Sequence, residues 1–258
     1  MLIARSKSSY EWRAVIQAIS TIVDEAVFNA TSEGITFRAM DPSHVALIDI
    51  QWSNAAFEQY NCDNEMIFAV RVDELLKMLK RADKDESLEV RMGMDEKQES
   101  MPVDLLTLRF TKYNAKRSRE YKLRLLEVSS TQSTPLPKLS FATKVNMSLK
   151  AFIDALKDVE VVSEQVTIIC SSSAIRFEGK GDAGEASVTF EQDEEVREIN
   201  TDAESRSTYS IEYLMDIVNA VDDAESVVLE YSSKMPLRLE FIMPFMCRIH
   251  YYLAPRVE

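Results

Sequence analysis

The stretch VDELLKMLKRADKDESLEV (Val72–Val90) returns in looser form as SIEYLMDIVNAVDDAESVVLEY (Ser210–Tyr231). In both copies apolar residues recur at the spacing that places side chains on one face of an α-helix. The pattern therefore predicts an amphipathic helix in each half of the chain. In the first copy the helix is expected to run from Val72 to Lys84, with its cations opposite the apolar face.

Two further segments are repeated in the same order along the chain. GITFRAMD (Gly34–Asp41) resembles AIRFEGKG (Ala174–Gly181), and EWRAVIQAI (Glu11–Ile19) shares its apolar helical pattern with LKAFIDALK (Leu149–Lys157). Repeats that keep their order indicate a duplicated structural unit. We expect each half of the chain to carry two helices, each followed by strands.

Each of the four predicted helices has one apolar face, and a serine stands at the start of three of them. Ser8 or Ser9 can cap the first helix and Ser148 the third, whereas the fourth starts from Ser210. The apolar faces comprise Trp12, Val15, Ile16, Ile19 and Ile22 in the first helix, Val72, Leu75, Leu76 and Leu79 in the second, Leu149, Phe152, Ile153 and Leu156 in the third, and Ile211, Leu214, Val218 and Val221 in the fourth.

Between the helices the hydrophobic pattern changes to a period of two, which is typical of half-buried antiparallel strands. The segments with this pattern are VALIDIQW, LLTLRFTKY, EYKLRLLEV, LRLEFIMPF and RIHYYLAP. The serine- and proline-containing segment 127–138 is expected to be an exposed connection. The predicted fold class is α+β, with two similar domains of antiparallel sheet and two helices each. The predicted domain bounds are 1–126 and 139–258.

The composition excludes several classes of protein. A formal net charge of −13 argues against a surface that coats nucleic acid, although it permits a local basic face. With five glycines the chain has no glycine-rich phosphate loop. It has no apolar run long enough to span a membrane and no signal-peptide pattern at the N-terminus. The three cysteines are far apart, so we expect buried free thiols in a soluble, intracellular protein.

Four segments resemble one known family. The turn AMDPSHVALIDI (Ala39–Ile50), the ending HYYLAPRVE (His250–Glu258), and the segments MPLRLEF (Met235–Phe241) and YNCDNE (Tyr60–Glu65) resemble the DNA sliding clamps of eukaryotes and archaea, the proliferating cell nuclear antigen family. The resemblance runs the length of the chain. It implies a ring of three two-domain subunits around duplex DNA, with helices lining the hole and sheets outside.

The resemblance also implies that the basic helix faces meet phosphates in a sequence-independent, salt-sensitive contact. The alternative for each basic face is a solvated helix surface. The expected DNA-facing residues are Arg13, Lys77, Lys80, Arg81, Lys84, Lys150 and Lys157. The fourth helix departs from the family pattern, because its polar positions are Glu212, Asp216 and Asn219 rather than cations.

A pocket for short partner peptides is implied on the outer face. By resemblance it is bordered by Met40, His44, Val45, Leu47, Leu136, Pro137, Pro236, Tyr252, Ala254 and Pro255. Methionine and short aliphatic side chains can adapt to different apolar side chains of a bound peptide. The alternative for His44 is an ordinary turn or surface residue, and for Leu47 and Tyr252 it is ordinary core packing.

The strand SREYKLRLL (Ser118–Leu126) alternates charged and apolar residues, as an edge strand does. By resemblance it pairs with the strand near AIRFEGKG of the next subunit. The expected interface residues are Arg117, Arg119, Tyr121, Lys122, Arg124, Ile175 and Phe177. The alternative is a solvated charged edge.

We expect no catalysis, cofactor or metal, because the carboxylates lie in charge-rich loops beside lysines and neither histidine lies in a catalytic motif. The implied partners are duplex DNA, two further clamp subunits, an ATP-driven clamp loader, and DNA polymerase, flap endonuclease and ligase through short peptides. The protein is expected in the cytoplasm at the nucleoid if archaeal, which the short C-terminus favours, and in the nucleus if eukaryotic. The alternatives are a subunit of a heterotrimeric or checkpoint clamp and a metal-dependent nucleic-acid-processing enzyme.

Overall fold

The computed structural model describes residues 1–83, 85–93, 104–112, 117–128, 135–136 and 138–256. The chain forms two compact units. The first contains Met1–Ala39, Asp49–Thr134 and Phe245–Cys247, and the second contains Met40–Ile48, Pro135–Pro244 and Arg248–Glu258. The units therefore differ from a simple division of the chain, since the segment Met40–Ile48 belongs with the second one.

The elements of the described residues occur in one order that is then repeated. The first set is β1 (Leu2–Ser6), α1 (Ser9–Ser20), β2 (Glu25–Thr31), β3 (Gly34–Met40), β4 (Ala46–Ser53), β5 (Gln59–Cys62), β6 (Met66–Arg71), α2 (Val72–Leu79), β7 (Glu86–Met92), β8 (Leu105–Lys112) and β9 (Ser118–Arg124). The second set is β10 (Thr143–Ser148), α3 (Leu149–Glu160), β11 (Gln165–Cys170), β12 (Ala174–Gly181), β13 (Gly184–Glu191), β14 (Val196–Thr201), β15 (Ser205–Ser210), α4 (Ile211–Ala220), β16 (Ser226–Tyr231), β17 (Leu237–Met243) and β18 (Cys247–Leu253).

The strand pairing repeats with the element order. In the first set, β1 pairs antiparallel with β5 and β7, and β2 pairs with β3 and β6. In the second set, β10 pairs antiparallel with β14 and β16, and β11 pairs with β12 and β15. The predicted class, two similar α+β domains with antiparallel sheets and two helices each, is confirmed.

Capping serines fix the starts of α1 and α3, as the sequence predicts. The Ser8 hydroxyl accepts from the Tyr10 amide at 3.2 Å, and the Ser148 hydroxyl accepts from the Ala151 amide at 3.5 Å. Such caps satisfy amides that have no partner within the helix. The predicted apolar faces are buried except at Leu76 and Ile153, which are half-buried.

The helix α2 is shorter than predicted, because it ends at Leu79 rather than Lys84. The amides of Arg81 and Ala82 donate to the carbonyls of Met78 and Leu79, which is the tighter bonding of a terminal turn. The next residues turn towards β7, where the Asp83 amide donates to the Glu86 carboxylate at 3.0 Å. Local hydrogen bonding therefore ends the helix before its cations complete one face.

The prediction that every second residue is exposed is wrong for two strands, β4 and β18. The burial of β4 is continuous from Ala46 to Ile50, and that of β18 is continuous from Ile249 to Leu253. Both faces of these strands are covered, so no polar alternation remains.

Each unit has its own aromatic core. In the first, the rings of Trp12 and Trp52 lie 4.9 Å apart, and in the second those of Phe152 and Phe177 lie 5.8 Å apart. The three cysteines are buried and free, as predicted, and burial raises the pKa of the Cys170 thiol to about 11. Among the described helices none is long and apolar enough to cross a membrane.

Two glycines offer a matched test of the hairpin turns. Gly34 and Gly184 share a φ of +141°, where a side chain is strained. A Cβ on Gly34 would lie 2.1 Å from the Trp52 carbonyl oxygen, whereas a Cβ on Gly184 meets nothing within 4 Å. We expect Gly184→Ala to lower the free energy of unfolding by about 1–2 kcal/mol through strain alone. Gly34→Ala should lower it by about 2 kcal/mol more, because the backbone must move.

Urea denaturation of the two variants measures this difference. Equal losses of stability would show that the close approach of Gly34 to Trp52 is unimportant.

Candidate functional site

The turn after β3 is organised by the carboxylate of Asp41. Its Oδ1 accepts from the amides of Val45 and Ala46 at 2.8 and 2.6 Å. Its Oδ2 accepts from the amide and the hydroxyl of Ser43 at 3.1 and 2.6 Å. The turn is closed by the backbone bond from the Asp41 amide to the Ala46 carbonyl at 2.9 Å. The Asp41 side chain and this backbone bond together fix the path of the backbone between β3 and β4.

The environment of Asp41 keeps its side chain ionised. The residue is 6% exposed, and burial alone would raise its pKa. Hydrogen bonds from the Ser43 hydroxyl and from the amides of Ala46, Val45 and Ser43 outweigh burial and hold the pKa of Asp41 below its ordinary value. His44 adopts φ of +60° within this turn and is exposed, as a turn residue would be.

The same turn meets the C-terminal segment within the second unit. The Ala254 amide donates to the Val45 carbonyl at 2.8 Å, which brings the AMDPSHV and YYLAP motifs together. Leu47 and Tyr252 are buried at 4% and 9% exposure. The half-buried members of the predicted pocket are Met40, Val45, Leu136, Pro236, Ala254 and Pro255. Pro137 lies outside the described residues.

The predicted DNA-facing cations are found on or directly after helices. Lys80 and Arg81 are exposed in the turn that ends α2, and Lys150 and Lys157 are exposed on α3. In the described part of the chain none of these four forms an ion pair, whereas Lys77 pairs with Asp73 at 2.7 Å. Arg13 lies half-buried over the Tyr10 ring at 4.6 Å, and Lys84 is outside the described residues.

The helix α4 exposes acids and an amide at its polar positions, Glu212, Asp216 and Asn219. Its first turn also carries Tyr213, whose hydroxyl lies 3.3 Å from Asp41 Oδ2. Within the described ranges no group of three or more histidine, cysteine, aspartate or glutamate side chains is arranged to hold a metal ion.

The strand β9 forms the edge of the five-stranded sheet β5–β1–β7–β8–β9. The Lys112 amide donates to the Arg117 carbonyl, and the Leu125 amide donates to the Asp104 carbonyl at 2.7 Å. These two bonds show that Arg117 and Leu125 are at positions where β9 is hydrogen-bonded to β8. In an antiparallel pair every second residue is hydrogen-bonded to the partner strand, and the residues between them direct their amides away from it. The amides directed away from β8 therefore belong to Ser118, Glu120, Lys122 and Arg124.

This alternation changes the interpretation of two predicted interface residues. Tyr121 is paired with Leu108 and directs its amide at β8, so only its side chain could serve a neighbouring subunit. The Arg119 guanidinium binds the Glu86 carboxylate and the Arg81 carbonyl, the latter at 3.0 Å. Its contacts lie within the subunit, where they hold the turn that ends α2. Arg117, Lys122 and Arg124 are exposed.

The structure places Ile175 and Phe177 in the core, each 0% exposed. Their strand, β12, is already paired on both sides, with β11 and β13. A strand with two occupied edges has no backbone groups left for a neighbouring subunit. The edge of the four-stranded sheet β13–β12–β11–β15 on this side is β13, which the sequence reasoning missed.

Two other residues were also missed. Asp41 lies within the quoted motif, and an aspartate at the start of a Pro-Ser turn is a recognisable signal for side-chain bonds to following amides. Tyr213 is distant from that turn in sequence, and no local pattern connects the two.

Comparison with known proteins places these features in a family. The family profile "Proliferating cell nuclear antigen, N-terminal domain" matches residues 1–133, and the profile "Proliferating cell nuclear antigen, C-terminal domain" matches residues 135–256. Among relatives, a "DNA polymerase sliding clamp" of Cenarchaeum symbiosum (strain A) is 46% identical over 99% of this chain and 98% of its own. A protein of the same name from Pyrococcus abyssi is 33% identical over 96% and 95%.

A solved structure extends the likeness to the fold. The crystal structure of PCNA from Thermococcus kodakaraensis superposes with a TM-score of 0.90, at 24% identity, over 99% of this chain and all of that one. Because the two profiles together span nearly the whole sequence, the chain belongs to the proliferating cell nuclear antigen family.

Proposed function

We propose that this protein is a DNA sliding clamp, a subunit of a ring that encircles duplex DNA and tethers the enzymes that work on it. The observation that carries the proposal is a set of exposed cations on and after the helices of a chain with net charge −13. These cations, which form no ion pair with any described residue, are Lys80, Arg81, Lys150 and Lys157. The family and its relatives named as DNA polymerase sliding clamps support the proposal. We also propose that the N-terminal domain comprises residues 1–126, the connecting segment 127–138 and the C-terminal domain 139–258.

The charge distribution suits a sliding contact. Lysine and arginine neutralise phosphates without reading base sequence, and this binding weakens as salt rises. An acidic remainder repels other nucleic acid. The clamp can thus stay close to DNA without being fixed at one position. Arg13, Lys77 and Lys84 belong to the same proposed surface.

Ring assembly is proposed through the edges of β9 and β13. Both strands lie at the edge of their sheets. The exposed charged residues of β9 are two cations and Glu120, which pairs with Lys122, and those of β13 are two acids, of which Glu185 pairs with Lys180. Lys122 and Arg124 stand on β9, and Glu185 and Glu191 stand on β13. Head-to-tail pairing of identical chains forms a ring if the rotation between neighbours closes, and we take this ring to be a homotrimer because the family resemblance implies three subunits.

Partner proteins are proposed to dock short peptides against the Asp41 turn and the YYLAP segment. Hydrogen bonds to Asp41 hold the turn. The half-buried Met40 and Val45 in it and Ala254 bonded to it offer apolar surface, and we assign Pro236 to the same pocket by the family resemblance. DNA polymerase, flap endonuclease, ligase and the clamp loader are the expected partners. The proposed protein performs no chemistry itself, so an ATP-driven loader must open the ring. The archaeal relatives support action at the nucleoid in the cytoplasm.

The DNA contact can be tested with two double variants that remove the same charge. Lys150→Ala with Lys157→Ala removes cations from α3, and Lys144→Ala with Arg197→Ala removes exposed cations from strands β10 and β14. Only the α3 variant should reduce the slope of log affinity for duplex DNA against log salt, by about one for each phosphate that is no longer neutralised. Fluorescence anisotropy over a salt series gives both slopes.

Equal slopes for the two double variants would mean that α3 does not face DNA. Light scattering of both variants should report the parental mass, because neither pair lies on β9 or β13, the two strands of the proposed subunit interface (the seam).

The proposed seam can be tested at adjacent positions of β9. Lys122→Pro removes an amide that points away from β8, which an edge strand tolerates in its own subunit. We expect this variant to keep its circular dichroism and to run as a monomer of about the 29.4 kDa subunit mass in light scattering. Lys122→Ala, which keeps the amide, should remain a trimer.

Tyr121→Pro is the contrasting variant, because it removes an amide that points at β8 within the subunit. It should lower the free energy of unfolding by about 1 kcal/mol or more, since it removes a ladder hydrogen bond. If Lys122→Pro remains a trimer, β9 is not the seam.

A further inference from the structure

The hydroxyl of Tyr213 joins α4 to the Asp41 turn. Its Oη lies 3.3 Å from Asp41 Oδ2 and 3.2 Å from Ser43 Oγ. An ionised carboxylate only accepts hydrogen bonds, and the Ser43 hydroxyl already gives its proton to Asp41 at 2.6 Å. Tyr213 must therefore be the donor in this trio, and its proton is shared between the two oxygens.

The bond matters because four hydrogen bonds of the turn end on one carboxylate. Asp41 Oδ2 receives Tyr213 and Ser43, while Oδ1 receives the amides of Val45 and Ala46. A donor on Oδ2 fixes the rotation of the carboxylate, and this rotation aims Oδ1 at the two amides. The Tyr213 hydroxyl on α4 thus helps to set the position of Val45, together with the amide and hydroxyl of Ser43 on the same oxygen.

The polar face of α4 differs from that of α3. This helix presents Glu212 and Asn219 where α3 presents Lys150 and Lys157, whereas the position between them is an aspartate in both, Asp216 and Asp154. An acidic helix is poorly suited to holding phosphate. Its first turn instead supplies the tyrosine that braces the turn.

We propose that Tyr213 is a positioning residue for the peptide pocket, which holds the Asp41 carboxylate and through it the segment Ser43–Ala46. The inference rests on the proposed function, because it takes Val45 to lie beneath a docked peptide. It makes α4 a support for peptide docking rather than a DNA-binding surface.

The test uses Tyr213→Phe, which removes the hydroxyl and keeps the ring. Amide hydrogen exchange at Val45 and Ala46 should become faster, because their acceptor is held less firmly. The affinity for a synthetic peptide with an aliphatic residue three positions before an aromatic pair should fall about five- to tenfold. This is less than the full value of a hydrogen bond to a charged group, because Ser43 still donates to the same carboxylate oxygen. Calorimetric titration measures the affinity, and nuclear magnetic resonance follows the amides.

Tyr60→Phe is the matched control. It also removes a tyrosine hydroxyl that donates a single bond, in this case to the Thr31 carbonyl at 2.8 Å. This variant should leave both the Val45 and Ala46 amides and the peptide affinity at parental values. Ser43→Ala combined with Tyr213→Phe should weaken binding by less than the sum of the single effects, since both act through Asp41.

Val45→Asp separates failure of the inference from failure of the proposed function. If it abolishes peptide binding while Tyr213→Phe leaves both affinity and amide exchange unchanged, the pocket stands and the role of Tyr213 is refuted. If Val45→Asp binds the peptide as well as the parent does, the peptide docks elsewhere, and the pocket and the inference fail together.

Discussion

Unpaired backbone at sheet edges is the constraint on which this architecture depends. A strand at an edge exposes a row of amides and carbonyls that must be covered or paired. Because the two sets of elements follow the same order, β18 in the second set corresponds to β9 in the first, and β13 in the second corresponds to β4 in the first. Within the second unit the start of β4 pairs with β18, and the bond from the Ala254 amide to the Val45 carbonyl extends this pairing beyond the two strands. The proposed ring gives β9 and β13 the same kind of partner, supplied by a neighbouring subunit.

Among the described residues some cations are paired with carboxylates and others are not, and Lys77 on α2 belongs to the paired group. Several on the strands are held by carboxylates, such as Arg91 by Glu89 at 2.6 Å and Arg176 by Glu178 at 2.8 Å. Lys150 and Lys157 on α3 have no such partner among the described residues. Exposed ion pairs add little stability, so this division has more bearing on binding than on folding. Cations without an internal partner remain available to an external anion such as phosphate.

Sequence periodicity predicted the features that local physics determines. The repeat, the four helices with their apolar faces, and the caps Ser8 and Ser148 follow from spacing and from the chemistry of serine. The end of α2 could not be predicted in this way. The bond from Asp83 to Glu86 is local but leaves no periodic signal, and Arg119, which donates to the Arg81 carbonyl, comes from the distant strand β9.

The proposed subunit interface and the Asp41 turn show the same limit of prediction from sequence. The resemblance places the interface near AIRFEGKG on β12, but it does not reveal which neighbours occupy the edges of that strand. In the described sheet the edge strand is β13, and the direction of the Tyr121 amide requires the ladder register. The bond between Tyr213 and Asp41 joins residues that are far apart in sequence. Tertiary contacts of this kind appear only once the fold is known.

Topological retention on DNA tests the central claim most directly. The protein is loaded by a clamp loader onto nicked circular duplex DNA, washed with high salt, and the circle is then cut with a restriction enzyme. A ring that encloses DNA should survive the wash, because screening of its phosphate contacts does not open it, and it should leave once the DNA has ends. Loss of the protein from intact circles in high salt, or its retention on the cut DNA, would contradict the account.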